Sequence, residues 1–191
     1  MHRCVVSESR TKPHKPSLDL GSDLRQVPDT QEVFVYPDSQ ISIVVEVLQR
    51  VAPDDDTEAA KFGALSISPT KYPTQFPRFH FDSLVDDNSA VSSSVESVTT
   101  ILNNGGDKTP TPIVLKGNQL VHKFNSTVPD EILILLAIFR VASKKVDLVL
   151  SMNIPLQTAG GEAAGAKCQE AQHDFETAVK SLHILDLDLF V

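Results

Sequence analysis

Cysteine, serine, histidine and carboxylate side chains are the groups that can attack a bond, hold a metal or move a proton, so their spacing sets what chemistry is open to this chain. No G-x-S-x-G turn occurs, and the two cysteines, Cys4 and Cys168, stand far apart. Cys168 falls on the apolar stripe of the last helical segment, where a buried thiol stays protonated and inert. The histidines, at positions 2, 14, 80, 122, 173 and 183, include no H-x-x-x-H or H-E-x-x-H pair that would aim two imidazoles at one metal. Gly160-Gly161 is not part of a G-x-x-x-x-G-K phosphate loop. His80-Phe81-Asp82-Ser83 holds the residue types of a triad, but neighbours on a strand or turn point to alternate sides. Asp54-Asp55-Asp56 stands before Ala59-Ala60-Lys61-Phe62 and reads as carboxylates at the positive end of a helix rather than as a metal loop. The expectation is a protein that is not an enzyme, with no cofactor and no metal.

The elements that would carry any site follow from the apolar pattern. Glu32 to Tyr36 and Ile41 to Val51 are two β-type runs around Pro37-Asp38-Ser39, which predicts an antiparallel hairpin. In the second run Val44, Glu46 and Leu48 share one face and Ile43, Val45 and Val47 the other. Residues 63–79, with prolines at 69, 73 and 77, read as an extended loop. Ser93 to Leu102 and Pro112 to Phe124 are strand candidates across the turn signal Asn104-Gly105-Gly106-Asp107. The run from Ile132 to Phe139 reads as a strand, turned by Ser143-Lys144-Lys145 into a half-buried strand in which Val146, Leu148, Leu150 and Met152 point one way. Ala164, Cys168, Ala171, Phe175, Ala178, Val179 and Leu182 recur at helical spacing and predict an amphipathic helix that must pack on the sheet. The sum is an α+β layer, an antiparallel sheet with helices against it. Residues 1–17 read as a disordered arm and residues 18–191 as a single domain.

Composition narrows the partners. With 17 Lys and Arg against 25 Asp and Glu, the 191-residue chain carries a net charge of −8. Phosphate backbones are bound by clustered cations, so nucleic acid is not the expected partner. An acidic protein is steered toward basic surfaces instead. Two cysteines fit a reducing compartment. No apolar run approaches the ~20 residues of a membrane span, and no apolar leader core follows Met1. A soluble monomer is expected.

The stretch Ser22-Asp23-Leu24-Arg25-Gln26-Val27-Pro28-Asp29-Thr30-Gln31-Glu32-Val33-Phe34-Val35 resembles the "LR-x-VPD-x-QEV" signature of the Ran guanine-nucleotide release factor family. The likeness continues through Ser42-Ile43-Val44-Val45-Glu46-Val47-Leu48, Glu58-Ala59-Ala60-Lys61-Phe62 and His80-Phe81-Asp82. It resumes at Asp147-Leu148-Val149-Leu150-Ser151-Met152-Asn153-Ile154-Pro155 and closes on the terminal helix and Asp186-Leu187-Asp188-Leu189-Phe190.

The resemblance implies a curved antiparallel β-sheet flanked by helices, the α/β sandwich of the PsbP-like fold. It implies binding to the small GTPase Ran, promotion of guanine-nucleotide release, support of nuclear protein import, and residence in nucleus and cytoplasm. It supplies no catalytic residues and centres the binding face on the strand of Glu46. The expected partner-binding residues are Asp29, Gln31, Glu32, Glu46 and Gln49, the last standing where the family usually carries a second acid. The family's glycine-rich opening strand has no match here, and residues 63–79 intervene between its helix and "HFDSL" blocks. The alternative is a structural or interaction protein of the same fold with no GTPase partner.

Overall fold

The computed structural model describes residues 19–20, 28–50, 75–122, 127–158, 161–165 and 167–190. Alternating apolar side chains set the hairpin of β2 (Gln31–Val35) and β3 (Ser42–Gln49). Its turn is closed by the Tyr36 N–H donating to the Ile41 carbonyl at 3.0 Å and by Asp38 in the left-handed region (φ 54°), which aspartate tolerates. The short β1 (Asp19–Leu20) pairs with β2 only at Phe34 and Val35.

A second antiparallel meander runs through β4 (Ala90–Thr100), β5 (Ile113–Val121), β6 (Asp130–Val141) and β7 (Val146–Thr158), with the short β8 (Gly161–Glu162) folded back on β7. The sheet order is β1-β2-β3-β7-β6-β5-β4, so the two meanders join along one seam, β3 against β7, from Ser42 opposite Asn153 to Gln49 opposite Val146. Every pair is antiparallel. The expected α+β architecture is the observed one.

Helix α1 (Gln75–Asp87) and helix α2 (Lys167–Ser181) cover opposite faces. Helix α2 buries Ala171, Phe175 and Val179 against Leu133, Leu135, Phe139, Leu148, Leu150 and Met152. Burial of Phe175 and of Val179 contributes roughly 1.5–3 kcal/mol each. The Tyr36 hydroxyl donates to Asp174 Oδ2 at 2.8 Å and ties the hairpin turn to this helix.

The C-terminal end of α2 is closed by a distant loop. Asn103 Nδ2 donates to the carbonyls of Val179 (2.6 Å) and Leu182 (3.0 Å), satisfying acceptors that a helix end leaves open. Thr109 Oγ1 accepts from Ile184 N at 2.9 Å and donates to the Gly105 carbonyl at 3.0 Å. Gly105 sits so close that a Cβ would come within 2.5 Å of the Leu182 carbonyl, so no side chain fits there.

Three expectations are corrected. Helix α1 begins at Gln75, inside the stretch read as an extended loop over 63–79; Pro77 lies in its first turn, where a missing N–H costs nothing. His80 to Ser83 are therefore helical, not strand or turn. Strand β7 is not half-buried, because its central position between β3 and β6 leaves Asp147 through Met152 all buried. Residues 1–17, the helix start at 54–62 and the rest of the proline-rich stretch, 63–74, lie outside the described residues.

Candidate functional site

Side chains on β3 alternate, so Ser42, Val44, Glu46 and Leu48 lie on the face that α1 packs against, and Ile43, Val45 and Val47 on the α2 face. On β2, Gln31 stands opposite Glu46 and Val33 opposite Val44. Gln31 Nε2 donates to Glu46 Oε1, which holds the half-buried carboxylate upright among valines. A charge in such a setting is costly unless paired or wet. Here one oxygen is paired within the chain, and among the described residues no partner is recorded for the other. Asn153 Nδ2 donates to Ser42 Oγ at 3.3 Å further along the same strand pair.

Asp29 is exposed in the turn that leads into β2. That turn is fixed by Gln31 N donating to the Pro28 carbonyl and Val47 N to the Thr30 carbonyl, both at 3.0 Å, which sets it beside β3. Asp29, Gln31 and Glu46 are thus gathered at one end of the hairpin. Glu32 and Gln49 are not. Glu32 pairs with Val45 on the reverse face, and Gln49, three residues from Glu46, also points away from it. A single-faced patch of Asp29, Glu32 and Glu46 does not form; Glu32 can reach a common partner only around the outer edge of β2.

The strongest electrostatic feature is one the sequence motifs did not flag. Asp147 is wholly buried and receives Arg140 Nε on Oδ1 and His80 Nε2 on Oδ2, each at 3.1 Å. The Arg140 guanidinium lies 3.4 Å over the Phe76 ring. Burial pushes the Arg140 pKa down, and Asp147 opposes that shift. The signal existed: a tight turn at 142–145 sets Arg140 opposite Asp147 on β6 and β7.

This constellation resembles part of a hydrolase triad without being one. Both carboxylate oxygens of Asp147 are occupied, and among the described residues no serine or cysteine is bonded to His80. It serves to pin α1 to the sheet. Cys168 is partly buried against the core, forms no disulfide, and its Sγ accepts from Gln172 Nε2 at 3.3 Å. Among the described residues no cluster of histidine, cysteine and carboxylates could hold a metal.

Residues 16–155 match the family described as Ran-interacting Mog1 protein. Among curated proteins, the Ran guanine nucleotide release factor of Danio rerio is 26% identical over 178 residues, covering 88% of each chain. That of Homo sapiens is 30% identical over 175 residues, covering 88% of this chain and 85% of the relative. The nuclear import protein MOG1 of Saccharomyces cerevisiae is 24% identical, covering 92% and 78%. The crystal structure of the Saccharomyces cerevisiae Ran-binding protein Mog1p aligns with a TM-score of 0.60 over 92% of this chain and 90% of that one, at 23% identity, which establishes the shared fold. The chain belongs to the Ran-interacting Mog1 protein family.

Proposed function

We infer that this protein binds the small GTPase Ran, promotes release of its guanine nucleotide and so supports nuclear protein import. It acts by binding rather than by catalysis. The observation that carries the reading is the Gln31–Glu46 pair, a half-buried carboxylate on a sheet face, held by one oxygen, in a chain whose family match includes this hairpin. A factor that expels a ligand must bind the opened or empty GTPase more tightly than the loaded one, and by reciprocity the nucleotide weakens the factor. Glu46, with Gln31 orienting it and Asp29 beside it, would engage a basic side chain near the nucleotide pocket. Glu32 and Gln49 would take secondary contacts at the hairpin rim.

The chain is expected to act as a monomer, without nucleic acid, in nucleus and cytoplasm. Among the described residues no helix is long and apolar enough to cross a membrane.

The test is release of a fluorescent guanine nucleotide from Ran at rising concentrations of this protein. Saturable acceleration is expected. Glu46→Lys should abolish it while the circular dichroism spectrum and melting temperature stay unchanged, because loss of a buried interfacial charge pair costs roughly 2–5 kcal/mol of binding. Unchanged acceleration by Glu46→Lys would remove Glu46 from the interface.

A further inference from the structure

The loop that closes α2 contains the chain's one Asn-Gly pair, Asn104-Gly105. Asparagine is thermolabile because its side-chain amide carbon is open to attack by the next backbone nitrogen. A following glycine favours that attack, having no side chain to obstruct the ring that forms and wide freedom of backbone angle. Glycine is nonetheless obligatory here. A Cβ on residue 105 would lie 2.5 Å from Asn103 Oδ1, 2.5 Å from the Leu182 carbonyl and 2.6 Å from Thr109 Oγ1. The packing that closes the helix therefore writes the labile pair into the chain.

The two reacting groups are held unequally. The Asn104 side chain is exposed, and among the described residues no hydrogen bond restrains it. Gly105 is buried. Its N–H, which must give up a proton to attack, donates to Asn103 Oδ1 at 2.5 Å, and its carbonyl accepts from Thr109 Oγ1 at 3.0 Å. One residue earlier, the Asn104 N–H donates to the Lys180 carbonyl at 2.9 Å. The nucleophile is occupied while the electrophile is loose. Asn88-Ser89 is the contrasting case, because there the asparagine amide itself is held, donating to Gln119 Oε1 at 2.8 Å.

We propose that Asn104-Gly105 is a self-modification site, kept silent by the Asn103 side-chain oxygen while the loop is closed and released when the loop opens. In the open loop the Gly105 nitrogen bonds to Asn104 Cγ, the Cγ–Nδ2 bond breaks, and ammonia leaves with the former amide proton. Water then opens the succinimide at either carbonyl, leaving aspartate or isoaspartate at this position. Neither product reseats as asparagine does. Isoaspartate lengthens the main chain by one bond beside a residue with no room for one added carbon. Both products place a carboxylate at the C-terminal end of α2, where the helix dipole is already negative. Asn103 then loses its hold on the Val179 and Leu182 carbonyls, and Leu182 and Ile184 lose their buried seats. A transient local opening becomes a lasting one. The site is independent of Ran binding.

The test incubates the full chain at neutral pH, folded and in urea, and reads amide-to-acid conversion at each asparagine by peptide mass spectrometry. Conversion is expected at Asn104 ahead of every other asparagine, and about tenfold slower in the folded chain, the factor for an opening free energy of about 1.4 kcal/mol. Asn103→Ala frees the Gly105 N–H and should speed conversion in the folded chain while leaving the rate in urea unchanged. Thr109→Val, which releases the Gly105 carbonyl, should act in the same direction and serves if Asn103→Ala does not fold. The converted chain, separated by its added charge, should melt at a lower temperature than the unconverted one. No conversion at Asn104 in either state would overturn the site. Equal rates folded and unfolded would overturn the guarding role of Asn103, and an unchanged melting temperature would overturn the lasting opening.

Discussion

On the α2 side, β6 and β7 present Leu133, Leu135, Ala137 and Phe139 beside Leu148, Leu150, Met152 and Ile154, and the cluster continues through Ile41, Ile43 and Phe175 without a buried charge. On the α1 side the same two strands present Ile134, Leu136, Ile138 and Val149, and then break the pattern with Arg140 and Asp147 under His80. Gln119, Asp130 and Ser151 add further buried polar groups to that face. The first face is a continuous apolar layer that any well-shaped hydrophobic set could fill. The second mixes a small apolar core with polar groups that must meet specific partners, and it continues across the seam to Glu46 and Arg50. Apolar burial is concentrated on one side of the sheet and buried polar pairing on the other.

That division can be broken most forcefully at Phe175. Phe175→Ala should cost about 4 kcal/mol in urea unfolding through the cavity it opens, whereas Phe81→Ala, on the smaller cluster, should cost less. Equal losses would mean that the two faces share the load. Next in size is Asp147→Asn, which removes the buried carboxylate shared by Arg140 and His80 and should destabilise by about 3 kcal/mol. A neutral or stabilising result would show the buried triangle to be dispensable for the docking of α1.

Tyr36→Phe is a smaller perturbation. Removing its bond to Asp174 should cost about 1 kcal/mol at neutral pH. Burial, and then the hydrogen bond and charge of Asp174, push the Tyr36 pKa far above its ordinary value of 10.0. The folded state therefore favours the protonated phenol, whose contribution is complete below pH 10 and declines as pH rises beyond it. Alkaline titration of stability should show that decline in the unmodified protein and less of it in Tyr36→Phe. Smallest of all is Glu96→Gln on the exposed edge strand β4. Lys116 and, after it, Asn118 hold the Glu96 carboxyl below its usual range, yet solvent screens the pair, and the change should stay within about 0.5 kcal/mol.

Much of this division is legible in the amino-acid sequence. The hairpin of β2 and β3, the two faces of β3, the alternation in β7 and the stripe of α2 all follow from period-two and helical spacing, because each reports a local rule. What escapes depends on non-local placement. Three prolines hide the start of α1 because composition does not say that Pro77 falls in a first turn. The alternation of β7 is real, but strand order alone decides that both its faces are covered. In the candidate site, Gln31 and Glu46 meet because hairpin register sets them opposite, while the spacing of three between Glu46 and Gln49 already places those two on different faces.

The seam between β3 and β7 has a further consequence, for the order in which the chain assembles. The pairs within β4 to β7 join strands that follow one another in the chain, and such local contacts form fast. The seam instead joins Ser42 to Asn153, 111 residues apart, so its loop-closure entropy is met late. The hairpin that bears Glu46 should dock onto a meander already formed and be the first part to open in the native state. Its amides should then exchange with solvent as one cooperative unit, ahead of those of β6 and β7. A bound GTPase, by holding that unit closed, would slow this exchange across the entire hairpin, including amides it never touches.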